Sequence, residues 1–310
     1  ILRLMREPLE RVIEGIFERC QGAYSERTIS GYRNDLQQFA AWCADKSLEW
    51  LPALPSTLAG FIDDQSGTLA ISTIKRRVEA IKFAHRMFDL PSPIEKSEVK
   101  LALRRALRKG HSRPQQSQGL TYPMLTTILE ACPGTLTGKR DAALLCVGYD
   151  SLARSNELTL LEVRHLSPGL ERILIPRSKA DTSGKGRLAY LSPCTQAKLE
   201  DWLDASGLVD GPLFQGLHTG KLSGSALSTS AIRRLVKRCG GRARSQISEA
   251  EKISGHSMRV GAAQDMMAAG LDHLAIMQAG GWKTIDVLAR YVESAAAQNL
   301  HQRRWQNLTG

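Results

Sequence analysis

The chain has 310 residues, which is enough for two domains of ordinary size and too many for one small core. It carries 42 Lys and Arg against 31 Asp and Glu, a formal net charge of +11, and this excess favours a polyanionic partner. The sequence contains no run of about eighteen apolar residues, and its N-terminus does not read as a secretory signal, so neither membrane insertion nor export is expected.

The cysteine pattern argues against a metal site or a disulfide framework. Six cysteines are spread along the chain without a Cys-x-x-Cys pair: Cys20, Cys43, Cys132, Cys146, Cys194 and Cys239. Zinc modules and disulfide-rich folds need closer or more regular spacing. No carboxylate cluster typical of a metal site stands out either. We therefore predict no metal and no cofactor, and reduced thiols in a cytoplasm fit best.

Residues 1–110 show apolar residues at helical spacing, which predicts a helical N-terminal domain. Three stripes stand out: Leu9, Val12, Ile13, Ile16 and Phe17, then Ile29, Tyr32, Leu36 and Phe39, then Ile71, Ile74, Val78, Ile81 and Phe88. A fourth helix is predicted over residues 99–109. The third stripe has basic neighbours that can meet phosphates while the apolar face packs inward: Lys75, Arg76, Arg77, Lys82 and Arg86.

A polar, aperiodic stretch over residues 111–119 is the predicted linker to a second domain, residues 120–310. The helices predicted in this domain include 122–132, 138–149 and 257–270. Beyond Tyr291 the chain continues as a polar tail with sparse apolar residues, which suits docking on a neighbouring molecule.

Two short β-like runs, residues 172–176 and 188–191, flank a polar segment that contains glycine. This arrangement predicts a β-hairpin with a polar tip. The tip segment contains two lysines, Lys179 and Lys185, and either would give the hairpin a positively charged end.

A basic helix is predicted over residues 228–239, with Ser or Thr at its start and Gly240-Gly241 at its end. Residues 231–244 contain six basic and no acidic side chains: Arg233, Arg234, Lys237, Arg238, Arg242 and Arg244. Together with the basic stretch 75–113, this segment predicts a surface that follows nucleic-acid phosphates. The plainer alternative for each stretch is a solvated helix face.

Three short segments near the C-terminus combine phosphate-binding groups with a candidate nucleophile: Gly255-His256-Ser257-Met258-Arg259, Gly280-Gly281-Trp282 and Ala289-Arg290-Tyr291. Arg259 offers a planar fork of donors to two phosphate oxygens, and His256 and the Trp282 indole can each donate another hydrogen bond. Upstream, Arg154 and Glu157 have i,i+3 spacing. Taken singly, such residues are more often structural, as an ion pair, a core tryptophan or a packed tyrosine.

The chain resembles the tyrosine recombinases in the order of its candidate residues: Arg154, a hairpin lysine, His256-x-x-Arg259, Trp282 and Tyr291. The resemblance is most specific over residues 255–291 and weaker over residues 1–110. It implies a mainly α fold, in which an N-terminal helical-bundle core-binding domain precedes a mostly helical catalytic domain with a small antiparallel β-sheet and a tail helix. In that family the two domains clamp duplex DNA.

The resemblance assigns a role to each candidate. Tyr291 would attack the scissile phosphate and form a 3′-phosphotyrosine, which preserves the phosphodiester energy so that no ATP is needed. Arg154 and Arg259 would bind the non-bridging oxygens of the phosphate. Glu157 would orient the arginine and histidine side chains. His256 would assist proton transfer from the tyrosine.

The resemblance assigns the remaining roles to a tryptophan and a lysine. Trp282 would add an indole donor and pack the site. Lys179 would act as general acid for the leaving 5′-oxygen. It is preferred over Lys185 because Arg177-Ser178-Lys179 resembles the family's Arg-Thr-Lys.

The resemblance also implies partners. They are double-stranded DNA with an inverted-repeat target site and three further copies of the chain, in a homotetramer that exchanges strands between two duplexes through a Holliday junction. A bacterial or phage-encoded cytoplasmic protein associated with the nucleoid is implied. The basic helix takes the place of the family's major-groove recognition helix, with Ser230 among its candidate DNA-binding residues. Arg233 or Arg234 would read guanine or grip a phosphate, and the sequence leaves both open.

Two other functions are compatible with parts of the sequence. A related tyrosine strand transferase, such as a type IB topoisomerase or a telomere resolvase, is disfavoured by the short tail and by the specific resemblance over residues 255–291. A non-catalytic, sequence-specific DNA-binding or architectural protein is allowed by the basic stretches. Such a protein, however, has no use for a phosphate-binding set that ends in a nucleophile, Tyr291.

Overall fold

The computed structural model describes residues 9–20, 22–110, 117–176, 186–247 and 250–292. Within these ranges the chain is mainly helical with two small antiparallel sheets, which confirms the predicted fold class. The chain divides into two compact units, residues 1–114 and 115–310, and each has its own apolar core. Most of the predicted linker and the predicted tail lie outside the described residues. None of the described helices combines the length and apolar character that crossing a membrane requires.

The first unit is a bundle of helices. Its described helices are α1 (Leu9–Glu18), α2 (Glu26–Asp45), α3 (Pro55–Gln65), α4 (Ile71–Met87) and α5 (Ser97–Lys109), with a short 3-10 helix, Pro93–Glu95, before α5. The three predicted stripes supply much of the core, and Ile16, Leu36 and Ile81 are fully buried. Ser25 caps the start of α2, because its side chain accepts a hydrogen bond from the backbone N–H of Thr28.

Helix α3 is not among the predicted helices, although it supplies part of this core. Pro52, Pro55 and Gly60 obscure the helical pattern in the sequence. In the structure Pro55 lies in the first turn, where its missing N–H has no intrahelical partner to lose. Leu58 and Phe61 are buried, and α3 packs against α5.

The second unit combines helices with two hairpins. Its described helices are α6 (Tyr122–Glu130), α7 (Leu136–Asp150), α8 (Ser155–Leu158), α9 (Pro193–Ser206), α10 (Thr229–Arg242), α11 (Ser257–Ala268), α12 (His273–Gly280) and α13 (285–292), with 3-10 helices at Val163–His165 and Ala250–Lys252. Its described strands are β1 (Arg172–Ile175), β2 (Arg187–Tyr190), β3 (Gln215–His218) and β4 (Lys221–Ala226). Each sheet is one antiparallel pair, β1 with β2 and β3 with β4.

Strands β1 and β2 form the predicted hairpin. They pair in a register in which Ile175 lies opposite Arg187. The tip of the hairpin, residues 177–185, lies outside the described residues, and so do both candidate lysines, Lys179 and Lys185. The described strands fix only where this segment leaves and rejoins the second unit.

The hairpin of β3 and β4 is not among the predicted elements. Its strands contain two glycines, Gly216 and Gly224, and most of β4 is exposed, so neither β-propensity nor alternation marks it in the sequence. Gly220 helps to close the turn with a φ of 78°.

Helix α7 is buried along most of its length and runs beside α11. Two glycines allow close approach in this region. A Cβ at Gly148 would lie 2.6 Å from Met258 Sδ, and a Cβ at Gly261 would lie 1.9 Å from the carbonyl oxygen of Leu120. Larger side chains would therefore force the segments apart. This packing brings the C-terminal end of α7 to the first turn of α11, and both lead into candidate site residues.

Helix α10 extends further than predicted. Ser228 caps its start as expected, because its side chain accepts a backbone N–H of the first turn. The helix then continues through Gly240 and Gly241 to Arg242. A Cβ at Gly240 would lie 3.2 Å from Ile253 Cδ1. The predicted helix end at the glycine pair is therefore wrong, because Gly240 permits close packing and does not stop the helix.

Candidate active site

Tyr291 and His256 are joined by a short hydrogen bond. His256 immediately precedes α11, and Tyr291 lies on α13. His256 Nε2 is 2.5 Å from the Tyr291 hydroxyl oxygen, and the two ring centroids are 5.2 Å apart. Gln264, further along α11, donates from Nε2 to the backbone carbonyl of Tyr291 at 3.2 Å. The side chain and the backbone of the tyrosine are thus both held from the α11 segment.

The surroundings of His256 keep its imidazole neutral. Burial, followed by the positive charges of Arg259 and Arg154, lowers the pKa of His256 to about 4. At neutral pH one ring nitrogen is therefore available as an acceptor. In the Nδ1–H tautomer this acceptor is Nε2, which faces Tyr291. The pair has the distance and the charge state with which a neutral histidine accepts a phenol proton.

Arg259 is a fully buried cation with unused donors. Its Nη1 donates to the backbone carbonyl of Leu152, and its guanidinium carbon lies 3.9 Å from the centroid of the Trp282 ring. Its Nε and Nη2 have no hydrogen-bond partner among the described residues. Burial, followed by the like charge of Arg154, lowers the pKa of Arg259 to about 9. The guanidinium stays charged at neutral pH, but its surroundings disfavour that charge.

Arg154 and Glu157 form an ion pair at the start of α8. Arg154 Nη1 is 2.7 Å from Glu157 Oε1, and the backbone N–H of Arg154 donates to Glu157 Oε2 at 3.0 Å. Glu157 is fully buried, whereas the Arg154 side chain keeps 29% of its surface exposed. The i,i+3 spacing in the sequence therefore reflects an ion pair in which Glu157 fixes the Arg154 side chain while part of that side chain stays exposed to solvent.

Trp282 lies close to both Arg259 and Tyr291. Its ring is stacked on Arg259 on one side, and its centroid is 5.4 Å from that of Tyr291 at an interplanar angle of 49°. Its indole Nε1 is buried without a hydrogen-bond partner in the described parts of the chain. Gly281 has a φ of 64° and ends α12, while a Cβ at Gly280 would lie 2.0 Å from the Trp282 ring. The glycine pair thus makes the turn that presents this indole.

Arg187 is a residue of this site that the sequence analysis missed. It lies on β2, and only 15% of its side chain is exposed. Its Nη2 is 3.3 Å from Glu157 Oε2, and its Nη1 donates to two backbone carbonyls. Arg187 shares the inward face of β2 with the buried Ala189, while Leu188 and Tyr190 are exposed. A basic residue at an inward strand position is the signal that could have revealed it.

The family of the chain follows from comparison with known proteins. The phage integrase family model matches residues 119–298, which is more than half of the chain. The chain belongs to the phage integrase family. The resemblance to tyrosine recombinases that the sequence suggested is confirmed, and the protein is a site-specific DNA recombinase.

Individual relatives match most of the recombinase. Cre of Escherichia phage P1 is 28% identical over 302 residues, covering 89% of this chain and 86% of Cre. An integrase/recombinase XerD homologue of Selenomonas ruminantium is 27% identical over 290 residues, covering 89% of this chain and 84% of the homologue.

Solved structures share its fold. The Tn1549 transposon integrase, in complex with transposon right end DNA, has a TM-score of 0.67 at 14% identity, covering 94% of this chain and 99% of its own. XerH site-specific recombinase, bound to a palindromic difH substrate, has a TM-score of 0.65 at 16% identity; the match covers 90% of this chain and 80% of the XerH chain.

The basic residues of α10 differ in what they contact. Arg233, Arg234 and Lys237 are exposed, as are Ser230, Arg242 and Arg244. Arg238 is 43% exposed, and its Nη2 lies 2.6 Å from Oδ2 of the buried Asp141. The Ser230 hydroxyl is 2.9 Å from the hydroxyl of Ser228. The recombinase therefore presents a basic α10 surface, but Arg238 also anchors the helix to the core.

The basic residues of α4 likewise include exposed side chains and side chains that pair with a buried carboxylate. Lys75, Arg76 and Arg86 are exposed, and Lys82 is half-buried. Arg77 has only 16% of its side chain exposed, and it donates to Gln65 at 3.0 Å while its Nε lies 3.7 Å from the buried Asp35. Arg76 reaches the same carboxylate at 3.1 Å. Burial raises the pKa of Asp35, and the two arginines oppose that shift. Arg77 is thus largely occupied within the first unit.

Within the described ranges, no group of three or more His, Cys, Asp or Glu side chains is placed to hold a metal ion. The charged groups that meet at the candidate site are instead Arg154, Arg259, Arg187 and Glu157.

Proposed function

We propose that the recombinase cleaves and rejoins DNA by transferring the scissile phosphate to Tyr291. The observation that carries this proposal is the buried cation Arg259, with two unpartnered donor nitrogens, close to a nucleophile and a base that already share a hydrogen bond. The alternative of a non-catalytic DNA-binding protein offers no reason to hold a tyrosine 2.5 Å from a neutral histidine beside a buried arginine.

The electrostatics of Arg259 favour a bound anion. A guanidinium in a low-dielectric environment is costly unless it is paired, and Arg154 adds a like charge nearby. Arg259 Nε, Arg259 Nη2 and Trp282 Nε1 are N–H donors without a partner among the described residues. A phosphodiester carries one negative charge and two non-bridging oxygens, and each oxygen can accept more than one hydrogen bond. It can therefore offset the charge of Arg259 and satisfy all three donors. Arginine forks bind phosphate oxygens in this way.

The cleavage step conserves bonds and protons. The Tyr291 oxygen bonds to phosphorus, and its proton passes to His256 Nε2. The bond from phosphorus to the 5′-oxygen breaks, and that oxygen takes a proton from Lys179, the acid that the family resemblance assigns. The products are a 3′-phosphotyrosine and a free 5′-hydroxyl. One phosphoester replaces another, so the reverse attack by a 5′-hydroxyl rejoins DNA without ATP.

In this scheme the reaction is accelerated mainly by stabilising the negative charge of the transition state. Negative charge on the non-bridging oxygens is met by Arg154 and Arg259, whose positions are fixed before DNA arrives by Glu157, Leu152 and Trp282. Preorganised donors of this kind lower a phosphoryl-transfer barrier because little reorganisation accompanies the reaction.

Strand exchange would take place in a tetramer on two inverted-repeat sites, through a Holliday junction. A surface pocket of about 520 Å³ in the second unit supports an assembly through the tail. Its lining includes Leu152, Leu188 and Met266. The sequence after Tyr291 contains a few large apolar residues in a polar context, Leu300 and Trp305 among them. We propose that this tail from one copy docks into the pocket of the next.

The chemistry is tested by trapping the covalent intermediate. The recombinase is incubated with fragmented DNA from its native replicon in EDTA without ATP, denatured, and any DNA attached to protein is sequenced. We expect adducts from the wild type and none from Tyr291→Phe, and the attached sequences reveal the target site. Saturated DNA binding without adducts from either protein would instead support the architectural alternative. Adducts with relaxation of supercoils, but without exchange between two duplexes that carry the recovered site, would support a topoisomerase-like transferase.

The assembly is tested separately. Met266→Glu places a charge in the lining of the pocket and leaves the residues that contact Tyr291 unchanged. We expect this variant to form the covalent adduct and to lose the tetramer on DNA, as measured by light scattering of the complex. A variant that assembles as well as the wild type would contradict docking of the tail at this pocket.

A further inference from the structure

We infer that Arg187 is a positioning residue for DNA cleavage, which fixes the Arg154–Glu157 pair and the Trp282 turn relative to each other. The inference rests on the proposed function, because it concerns the rate of the same phosphoryl transfer. It is carried by the contacts of Arg187, which connect three separate segments of the second unit.

The guanidinium of Arg187 holds each of these segments through a hydrogen bond. Nη1 donates to the carbonyl of Ser151 at 2.6 Å, at the end of α7, and to the carbonyl of Ala279 at 3.0 Å, in the last turn of α12. Nη2 donates to Glu157 Oε2 at 3.3 Å, in α8. The planar fork of an arginine can satisfy these acceptors together, and an ammonium cannot reproduce that geometry.

Arg187 also divides the charge of Glu157 with Arg154. Glu157 Oε1 pairs with Arg154 Nη1, while Oε2 faces Arg187 Nη2. Glu157 is fully buried, so its negative charge acts strongly on its neighbours. With Arg187 neutralised, the carboxylate would offset more of the positive charge of Arg154 and leave less for a phosphate. Burial lowers the pKa of Arg187, and Glu157 opposes that shift.

The side-chain stem of Arg187 passes close to the turn that presents Trp282. A Cβ added at Gly281 would lie 3.5 Å from Arg187 Cδ, so the glycine leaves only the space of a methyl group between the stem and the turn. Ala279, whose carbonyl Arg187 holds, is three residues before Trp282. The Trp282 ring in turn lies 3.9 Å from the Arg259 guanidinium carbon. A shift of the turn would therefore move the indole that packs on the second phosphate-binding arginine.

This arrangement predicts a loss in rate without a loss in DNA affinity. Arg187 is mostly buried, and both of its Nη atoms donate to internal acceptors, while its Nε has no partner among the described residues. Because its fork is already occupied, we expect it not to touch DNA. Removing one direct donor to a developing oxyanion typically costs 10²–10³ in rate, and a residue that acts through such donors should cost roughly 10- to 100-fold. Arg187→Met keeps the stem and removes the fork, whereas Arg187→Lys keeps the charge.

The experiment measures single-turnover cleavage on a nicked duplex that carries the target site recovered from the adduct sequencing. The DNA dissociation constant and the cleavage rate at saturating DNA are measured for wild type, Arg187→Met and Arg187→Lys. The matched control is Arg164→Met, which removes an exposed arginine of the same unit that pairs with Glu162 at the surface. Circular dichroism melts establish that each variant is folded.

We expect the Arg187→Met rate to fall roughly 10- to 100-fold with a dissociation constant within about threefold of wild type, and Arg187→Lys to recover part of the rate. The control should cleave like wild type. An unchanged rate in Arg187→Met, or a parallel loss of affinity and rate, would overturn the inference. If Arg187→Met does not fold, Arg187→Lys decides: a cleavage rate below that of wild type at an unchanged dissociation constant supports the inference, and an unchanged rate or a parallel loss of affinity overturns it. Absence of a Tyr291-dependent adduct in the wild type would reject the proposed function instead.

Discussion

His256 Nε2 lies 2.5 Å from the hydroxyl oxygen of Tyr291, although the two residues are 35 positions apart in the chain. Helix α11 begins directly after the histidine, and the same helix holds the tyrosine backbone through Gln264. The hydrogen bond therefore depends on how α13 is docked against α11. The proposed nucleophile and its proposed proton acceptor are therefore already in contact before any DNA is bound.

His256→Ala should slow cleavage while DNA binding is retained. The substitution removes the proposed acceptor of the Tyr291 proton, and a free phenol, with a pKa of about 10, ionises little at neutral pH. General-base catalysis typically contributes 10²–10⁴-fold, and because the low pKa of His256, about 4, makes it a weak base, we expect a loss near the lower end of that range at saturating DNA. The measurement is single-turnover adduct formation. A variant that cleaves as fast as wild type would exclude His256 as the base.

His256 should also make stability depend on pH. Its folded pKa of about 4 is below its ordinary value of 6.5, so the unfolded state binds more protons between these two values. The free energy of unfolding should consequently fall as pH is lowered from 6.5 towards 4, by at most about 1.4 kcal/mol per pH unit. Urea titrations at several pH values measure it. His256→Gln does not titrate and should show a shallower decline, so equal declines would contradict the assigned shift.

Arg259 should make the protein bind simple divalent oxyanions. Sulfate can accept from the unpartnered donors of Arg259 and offset its buried charge. At a concentration ten times its dissociation constant, it would add about 1.4 kcal/mol to the free energy of unfolding. Thermal melts in sodium sulfate and in sodium chloride of equal ionic strength measure this difference. Arg259→Met should lose the sulfate-specific increase, and an equal response in both proteins would place the anion elsewhere.

The candidate site residues could be singled out from the sequence because each chemical group is specified by its own local segment. His256-x-x-Arg259, the glycine pair before Trp282, and Tyr291 each lie in a short stretch whose residue types suit phosphate chemistry. Of the helices near them, α11 is predicted from its apolar and small residues, whereas α12 and α13 are not among the predicted helices. What could not be predicted is pairing over distance. The contact between Arg187 on β2 and Glu157 on α8, 30 residues apart in the sequence, is one such pairing.

The basic stretches also show that contacts between residues distant in the sequence could not be predicted. Composition predicts that they are positively charged, but not which charges remain available for DNA. Arg77 and Arg238 are each partly occupied by a buried carboxylate, Asp35 and Asp141 respectively. Asp141 is 97 residues from Arg238 in the sequence, so no local pattern indicates the ion pair. Burial of the acid, which fixes the arginine, is a property of the tertiary fold.

Arg233→Met and Arg238→Met should therefore have different effects. Arg233 is exposed on α10, so its loss should leave the free energy of unfolding unchanged and reduce the slope of log K against log salt by about 1. Arg238 pairs with buried Asp141 at 2.6 Å, so its loss should also cost roughly 1–2 kcal/mol of stability. Urea unfolding and salt-dependent DNA binding measure the two properties. Equal stability of the two variants would show that the Arg238 pair contributes little.

Gly280→Ala should destabilise the fold and displace Trp282. The added Cβ would lie 2.0 Å from the indole ring, which is buried beside Arg259 and cannot move without breaking that contact. Overpacking of this kind typically costs 1–3 kcal/mol, and the shift of the ring should also slow cleavage. The matched control is Gly241→Ala in α10, where an added Cβ has no atom within 4 Å. Alanine should stabilise that helix by about 0.5–1 kcal/mol, so equal changes at both glycines would contradict the steric argument.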